Sequence, residues 1–198
     1  PYGGYTQGNL YLLYAAGLVY DDEIRVYWAF ERLVHRVNRY GPTTAADVHL
    51  VPDWVIAIAH HYAPIDHSTW QLLLRLRWIY VLFGQTFTTH AGLLAAYDFV
   101  LHDKSDIGIF ALCAALLERT SSLEMSQYGC DLEIASAMIG QKVLSDEDAA
   151  YVISRAQLFL VCPGCSLIST VRQPAGPMNA TPLLGPGSMA ALNQALSS

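Results

Sequence analysis

The sequence predicts an all-α fold, a single helical domain of about eight helices with extended N- and C-terminal arms. Apolar residues recur at helical spacing between residues that start and end helices, whereas alternation over the length of a strand is scarce. Residues 1–9 are rich in Gly and Tyr, and residues 162–198 are rich in Pro and Gly. We therefore divide the chain into an N-terminal arm (1–9), a helical core domain (10–161) and a C-terminal arm (162–198) ending in a short helix.

Boundary residues predict four helices in the first half of the core domain. Gly17 and Gly84 follow apolar stretches and are typical helix stops. Pro52 suits a first helical turn, and Ser68 or Thr69 is a candidate N-cap for the helix that follows it. The predicted helices cover residues 10–16, 21–40, 52–62 and 70–83.

The second half of the core domain contains start and stop signals for four more helices. Ser105 is a candidate N-cap, and Gly140 is a candidate stop. The clearest start signal is Ser145, because an acidic residue, Asp148, follows it three positions later. The predicted helices cover residues 89–101, 106–119, 130–139 and 145–161.

Composition predicts that partners cover part of the surface. Only 14% of the 198 residues are charged and 53% are hydrophobic, whereas typical soluble domains have roughly 25% charged residues. A membrane location is the other explanation, but a spanning helix needs about 20 apolar residues. Arg75 and Arg77 interrupt the best candidate, residues 70–84. We therefore expect no membrane insertion and a homo-oligomer of many copies.

The two arms suit exchange between neighbouring subunits. A Pro/Gly-rich segment that ends in a small apolar helix, over residues 188–196, has little to bury against within a short tail. Docking on a neighbour would cover that helix. The alternative is that each arm wraps its own subunit.

Four arginines share one face of the second predicted helix. Their spacings of seven, four and three residues place them within an arc of about 60°, and guanidinium groups suit bidentate phosphate contacts. We call this set the arginine row: Arg25, Arg32, Arg36 and Arg39. Six apolar residues are expected on the opposite face: Val26, Tyr27, Phe30, Leu33, Val34 and Val37.

Three further residues extend the predicted nucleic-acid site. Trp28 lies beside the arginine row on the helical wheel and is the best candidate for stacking on a base. Arg75 and Arg77 are candidate helpers in phosphate binding. The net charge of −6 argues against general affinity for nucleic acid, so any binding must be local. The alternative is that the row is an ordinary solvated face, paired with acids such as Glu31.

Features typical of enzymes are weak. No paired-carboxylate, phosphate-loop or nucleophile pattern is present, and we expect no enzyme, no catalytic residue, no cofactor and no metal site. Asp98 and His102 form an acid/base pair on paper, but such spacings arise often by chance. Cys162 and Cys165 form a C-x-x-C motif around Pro-Gly, which favours a turn over a thiol-redox site.

The segment Leu94-Ala95-Ala96-Tyr97-Asp98-Phe99 resembles part of the core motif of coat proteins of flexible filamentous plant viruses. That motif reads basic, aromatic, Ala, any, Phe, Asp, any, Phe. Ala95, Tyr97 and Asp98 match it with Tyr in place of Phe, whereas Leu93 stands at the basic position and Val100 at the final aromatic position. The resemblance implies a helical core whose arms bind neighbouring subunits, basic residues that enclose single-stranded RNA, and a location in the virion or host cytoplasm.

Three functions follow, in order of preference. The first is a capsid or nucleocapsid subunit that self-assembles through exchanged arms and packages nucleic acid, with single-stranded RNA favoured, by sequence-independent phosphate contacts. The second is a helical, oligomerising protein-interaction module that binds no nucleic acid. The third is a thiol-redox or other enzyme that uses Cys162 and Cys165.

Overall fold

The computed structural model describes residues 8–40, 50–103, 107–121, 128–141 and 145–161. Within these ranges the chain forms eight α-helices, one π-helical turn and no β-strand, which confirms the all-α prediction. Residues 1–7 of the predicted N-terminal arm and the whole C-terminal arm lie outside them. The helices are α1 (Asn9–Val19), α2 (Glu23–Asn38), α3 (Asp53–Tyr62), α4 (His67–Leu74), α5 (His90–His102), α6 (Ile107–Ser121), α7 (Asp131–Gly140) and α8 (Asp146–Val161), and the π-helical turn is Arg75–Ile79.

The buried centre of the domain is α6. Its residues from Gly108 to Leu117 are all buried, and the helix contacts α3, α5, α7 and α8. A helix that is apolar on every face is stable only when other elements surround it. Cys113 lies in this stretch as a buried free thiol, and burial raises the pKa of the thiol well above its usual range.

Two ion pairs join the C-terminal end of α6 to α8. The guanidinium of Arg155 donates to both carboxylate oxygens of Glu118, at 2.8–3.0 Å. Arg119 donates from Nε to Asp148 Oδ1 at 2.9 Å. All four side chains are partly buried, so the pairs are screened less by solvent than surface pairs would be. They fix the register of α8 along α6.

The N-cap of α4 is Asp66, so the prediction of Ser68 or Thr69 was wrong. Both residues lie in the first turn of the helix, and both hydroxyls donate to the Asp66 carboxylate. The backbone N–H of Thr69 also donates to Asp66 Oδ1, at 2.9 Å. The Ser68 and Thr69 hydrogen bonds hold the pKa of this exposed carboxyl well below its usual range.

The predicted single helix over residues 70–83 was wrong at its C-terminal end. After Leu74 the chain widens into a π-helical turn, in which the N–H of Tyr80 donates to the carbonyl of Arg75 at 2.9 Å. Leu82 and Phe83 then adopt positive φ angles of 42° and 62°. This conformation costs non-glycine residues roughly 1–2 kcal/mol each, and full burial of both side chains offsets the cost.

Gly17 and Gly84 do not stop helices as predicted, whereas α7 does end at Gly140. Gly17 lies inside α1, which continues to Val19 before Tyr20 turns extended. Gly84 follows the positive-φ pair, and its role is to allow close approach by α1. A Cβ atom at Gly84 would lie 2.7 Å from the Cβ of Tyr11, which is closer than real Cβ atoms come.

The start signal at Ser145 is confirmed, because its Oγ accepts a hydrogen bond from the backbone N–H of Asp148 at 3.0 Å. We expect Ser145→Ala to lower the free energy of unfolding by about 1 kcal/mol, since an N–H in the first turn of α8 loses its partner. Urea unfolding measures the change. Ser154→Ala makes the same substitution at an exposed position of α8 and should change stability by less than about 0.5 kcal/mol. Equal effects of the two variants would contradict the capping role.

Candidate functional site

Three members of the arginine row lie on α2 and the fourth, Arg39, is its C-cap residue. Helix α2 pairs with α1 in a helical hairpin. The carboxylate of Asp22 caps α2 by accepting from the backbone N–H of Arg25 at 2.9 Å. The predicted apolar face was only partly right. Leu33 and Val37 are buried, but Tyr27 is exposed, and the third buried residue of α2 is Ala29.

The position of Ala29 changes how the arginine row relates to the core. On the helical wheel Ala29 lies about 20° beyond Arg36, so the row borders the buried face of α2 instead of lying opposite to it. Arg25, Arg32 and Arg39 are exposed, whereas Arg36 is half-buried. The Arg36 guanidinium donates from Nη2 to the backbone carbonyl of Asp103, at the C-terminal end of α5. One member of the row therefore anchors α2 to α5.

Trp28 occupies the exposed position that the wheel predicts. Of its side chain 57% is exposed, and its ring meets the ring of Tyr27 edge to face, with centroids 5.5 Å apart. Ile24, one turn earlier, is 68% exposed. An exposed indole ring beside arginines has the chemistry of a base-stacking platform.

A cavity of about 240 Å³ lies between α1, α2 and α5. Its apolar walls include Ala16 and Val19 from α1, Leu33 from α2, and Leu94 and Leu101 from α5. Eight polar side chains also line it: Tyr20, Arg32, His35, Arg36, Arg39, Tyr97, Asp98 and His102.

The cavity brings together two features that are far apart in sequence. Three members of the arginine row form part of one side of the cavity. Tyr97 and Asp98, from the segment that resembles the coat-protein motif, form part of another side. Periodicity along α2 could reveal the row but gives no information on which helix faces it. His35, His102 and Tyr20 were not among the predicted site residues, because nothing local marks them as neighbours of a cavity.

Burial and nearby charges shift three pKa values in this region. Partial burial raises the pKa of the Tyr20 phenol, and the charges of Arg25 and Arg32 act in the opposite direction. Burial raises the pKa of Asp98 above its usual range, while His102 opposes the shift. Burial also raises the pKa of Tyr97 well above its usual range. Arg25 is therefore close enough to influence Tyr20, although it does not line the cavity.

The two helper arginines differ in their surroundings. The guanidinium of Arg75 donates from Nε and Nη2 to the carbonyl of Tyr40, at 3.1 and 3.0 Å, and its carbon lies 6.0 Å from the centre of the Tyr80 ring. Arg75 thus joins the chain at the end of α2 to the residues of the π-helical turn. Arg77 is exposed and lines no part of the cavity.

Three other features considered from the sequence are a thiol-redox site, a metal site and a membrane-spanning helix. Cys162 and Cys165 lie outside the described residues. Among the residues that the structure describes, no three His, Cys, Asp or Glu side chains are grouped to hold a metal ion. Over the same ranges, no helix is both long enough and apolar enough to cross a bilayer.

Comparison with known proteins gives no match to any family model, curated protein or solved structure.

The raised pKa of Asp98 predicts a pH-dependent effect of Asp98→Asn. An acid whose folded pKa is raised above its unfolded value of about 3.8 contributes stability at low pH. That stability is lost as pH rises through the folded pKa. We therefore expect the Asp98→Asn variant to gain stability relative to the wild-type protein as pH rises from below about 3.8 to neutrality. Thermal unfolding across this pH range measures the difference in stability between the two proteins. A stability difference that does not change with pH would contradict a raised pKa for Asp98.

Proposed function

We propose that this chain is a capsid or nucleocapsid subunit that self-assembles and packages nucleic acid, with single-stranded RNA favoured. The observation that carries the proposal is the exposed side of α2, where Arg25, Arg32 and Arg39 lie on one side of the helix with Trp28 next to them. Arginine holds phosphates and an exposed indole stacks on bases, and together these groups bind a single strand without reading its sequence.

The length of the arginine row fits an extended ligand. Arg25 and Arg39 are fourteen residues apart, which corresponds to about 21 Å along the helix axis. Successive phosphates of one strand rise about 3.4 Å along a duplex axis, so the row is long enough to contact several phosphates of the same strand. A chain with a net charge of −6 needs such a local concentration of arginine to attract a polyanion.

Exposed apolar side chains support self-assembly. On α1, three of them lie within an arc of about 100° of one face: Leu10, Leu13 and Tyr14, which are 41–51% exposed. On α2, Ile24 and Tyr27 are also exposed. Contacts between copies of the chain would remove these side chains from water. The arms that we expect to contribute further contacts lie almost wholly outside the described residues.

The same apolar side chains favour a second candidate, an oligomerising interaction module without nucleic acid. In that case the arginine row would pair with acidic residues of a neighbouring subunit. The two candidates differ in one measurable property, the affinity of the native protein for a single strand. A native protein that oligomerises but has no affinity for RNA would favour the interaction module.

We expect Arg25→Gln combined with Arg32→Gln to weaken binding of a fluorescently labelled single-stranded RNA. The slope of log affinity against log salt concentration should fall by about 0.7 for each phosphate that the variant no longer binds. Fluorescence anisotropy at several salt concentrations measures both quantities. Lysine at the same two positions keeps the charge and should preserve most of the salt dependence.

A control variant tests whether position matters or only net charge. Ser154→Asp combined with Gln157→Glu makes the same change in net charge at exposed positions of α8. It should leave the salt slope unchanged. If this control and the arginine variant lose affinity equally, binding does not depend on α2.

A further inference from the structure

Helix α1 is apolar on every face, yet one of its faces is exposed within the part of the chain that the structure describes. None of its eleven residues is charged. Leu12, Ala15 and Ala16 are buried, and α2 and α5 contact the helix. A helix that is apolar all round is stable when other elements surround it, as they surround α6. We therefore expect the exposed face of α1 to contact a partner.

Four residues form this exposed face, and they have the spacing of a seam between two helices. They follow one another at intervals of three, one and three residues, which places them within an arc of about 100°. Residues at i, i+3, i+4 and i+7 are those through which one helix packs along another. We call this set the α1 seam: Leu10, Leu13, Tyr14 and Gly17. The Tyr14 hydroxyl shares a hydrogen bond with a ring nitrogen of His90, so a contact over the Tyr14 ring leaves no hydroxyl unpaired.

Gly17 lies near the middle of the exposed face on the helical wheel. A Cβ atom at this position meets nothing within 4 Å in the described part of the chain, apart from its own helix backbone and chain neighbours. Glycine inside a helix is less favourable than alanine, because it loses more conformational freedom on folding. Packing within the described residues gives no reason for the missing side chain, whereas close approach of a second helix does.

The α1 seam is complementary to itself. When two copies of α1 pack antiparallel about a two-fold axis between positions 13 and 14, Leu10 of each copy faces Gly17 of the other, and Leu13 faces Tyr14. A large side chain thus meets the open space at a glycine twice in each pair. Because neither helix carries a charge, the contact buries no charged group without a partner.

We propose that α1 is a contact between copies of this chain, packed antiparallel on α1 of a second copy along the α1 seam. The inference rests on the self-assembly in the proposed function and does not depend on nucleic acid. Two helices about 16 Å long bury less than a standard interface of about 1,600 Å². The contact therefore acts together with others in an assembly of many copies.

Sedimentation velocity of the nuclease-treated, full-length chain tests the proposal. We expect Gly17→Leu to raise the dissociation constant at least about tenfold, because the added side chain separates the two helices. Leu10→Ala combined with Gly17→Leu exchanges the large and small positions and should restore much of the affinity. Gly140→Leu is the matched control, since a Cβ atom at this exposed glycine of α7 also meets open space among the described residues. It should associate as the wild-type chain does.

The outcomes separate this contact from self-assembly in general. Unchanged association of Gly17→Leu, or an equal loss in Gly140→Leu, would overturn the contact and leave assembly through other surfaces standing. A loss that Leu10→Ala does not restore would overturn the antiparallel pairing and mean that another segment, such as residues 188–196, covers α1. A wild-type chain that stays monomeric would contradict both the contact and self-assembly. Association that weakens and is restored as expected supports the contact even when no nucleic acid is bound.

A second pair of variants gives the same test without a change at glycine. We expect Leu13→Gln to weaken association, because it removes apolar surface at the centre of the α1 seam. Leu72→Gln makes the same change at an exposed leucine of α4 and should leave association unchanged. Circular dichroism checks that all variants fold. If Gly17→Leu does not fold, this pair decides, and equal association of Leu13→Gln and Leu72→Gln would overturn the proposal.

Discussion

Burial of α6 is the constraint on which the rest of the domain depends. Ten consecutive residues, from Gly108 to Leu117, are buried, so other helices must cover this helix on every side. Helices α3, α5, α7 and α8 do so. The charged residues Glu118 and Arg119 come only where α6 reaches the edge of the core, and both pair with α8. Covering α6 occupies one side of α5 and leaves another to the α1–α2 hairpin.

The hairpin is therefore the peripheral part of the described fold, and its attachment explains the candidate site. It is tied to the remainder by polar contacts as well as apolar ones. Arg36 donates to the Asp103 carbonyl, Arg75 donates to the Tyr40 carbonyl, and the Tyr14 hydroxyl and a ring nitrogen of His90 share a hydrogen bond. Three arginines of the row, Arg32, Arg36 and Arg39, line the cavity that lies between the hairpin and α5.

Sequence patterns predicted helices well where the signals are local. Pro52 before α3 and the cap at Ser145 both act within one turn, and these helices lie close to their predicted bounds. Prediction was less successful where distant residues decide the outcome. The π-helical turn after Leu74 and the positive φ angles of Leu82 and Phe83 depend on burial in the core, which local spacing does not show.

In the candidate site, too, local features could be predicted from the sequence and contacts between distant residues could not. The arginine row and the exposed position of Trp28 follow from helical periodicity, which fixes the direction of each side chain on one helix. The bond from Arg75 to the Tyr40 carbonyl depends on tertiary contacts. So does the cavity that Arg36, Tyr97 and Asp98 line together. No local pattern in the sequence indicates that α2 and α5 are neighbours.

Assembly of many copies around nucleic acid is the central element of the proposed function. The most direct test is the ultraviolet absorbance spectrum of the native protein, separated by size, before and after nuclease treatment. We expect a high-mass species whose spectrum is that of nucleic acid together with protein. A high-mass species without nucleic acid would contradict packaging and favour the interaction module, and a monomer without nucleic acid would contradict assembly as well.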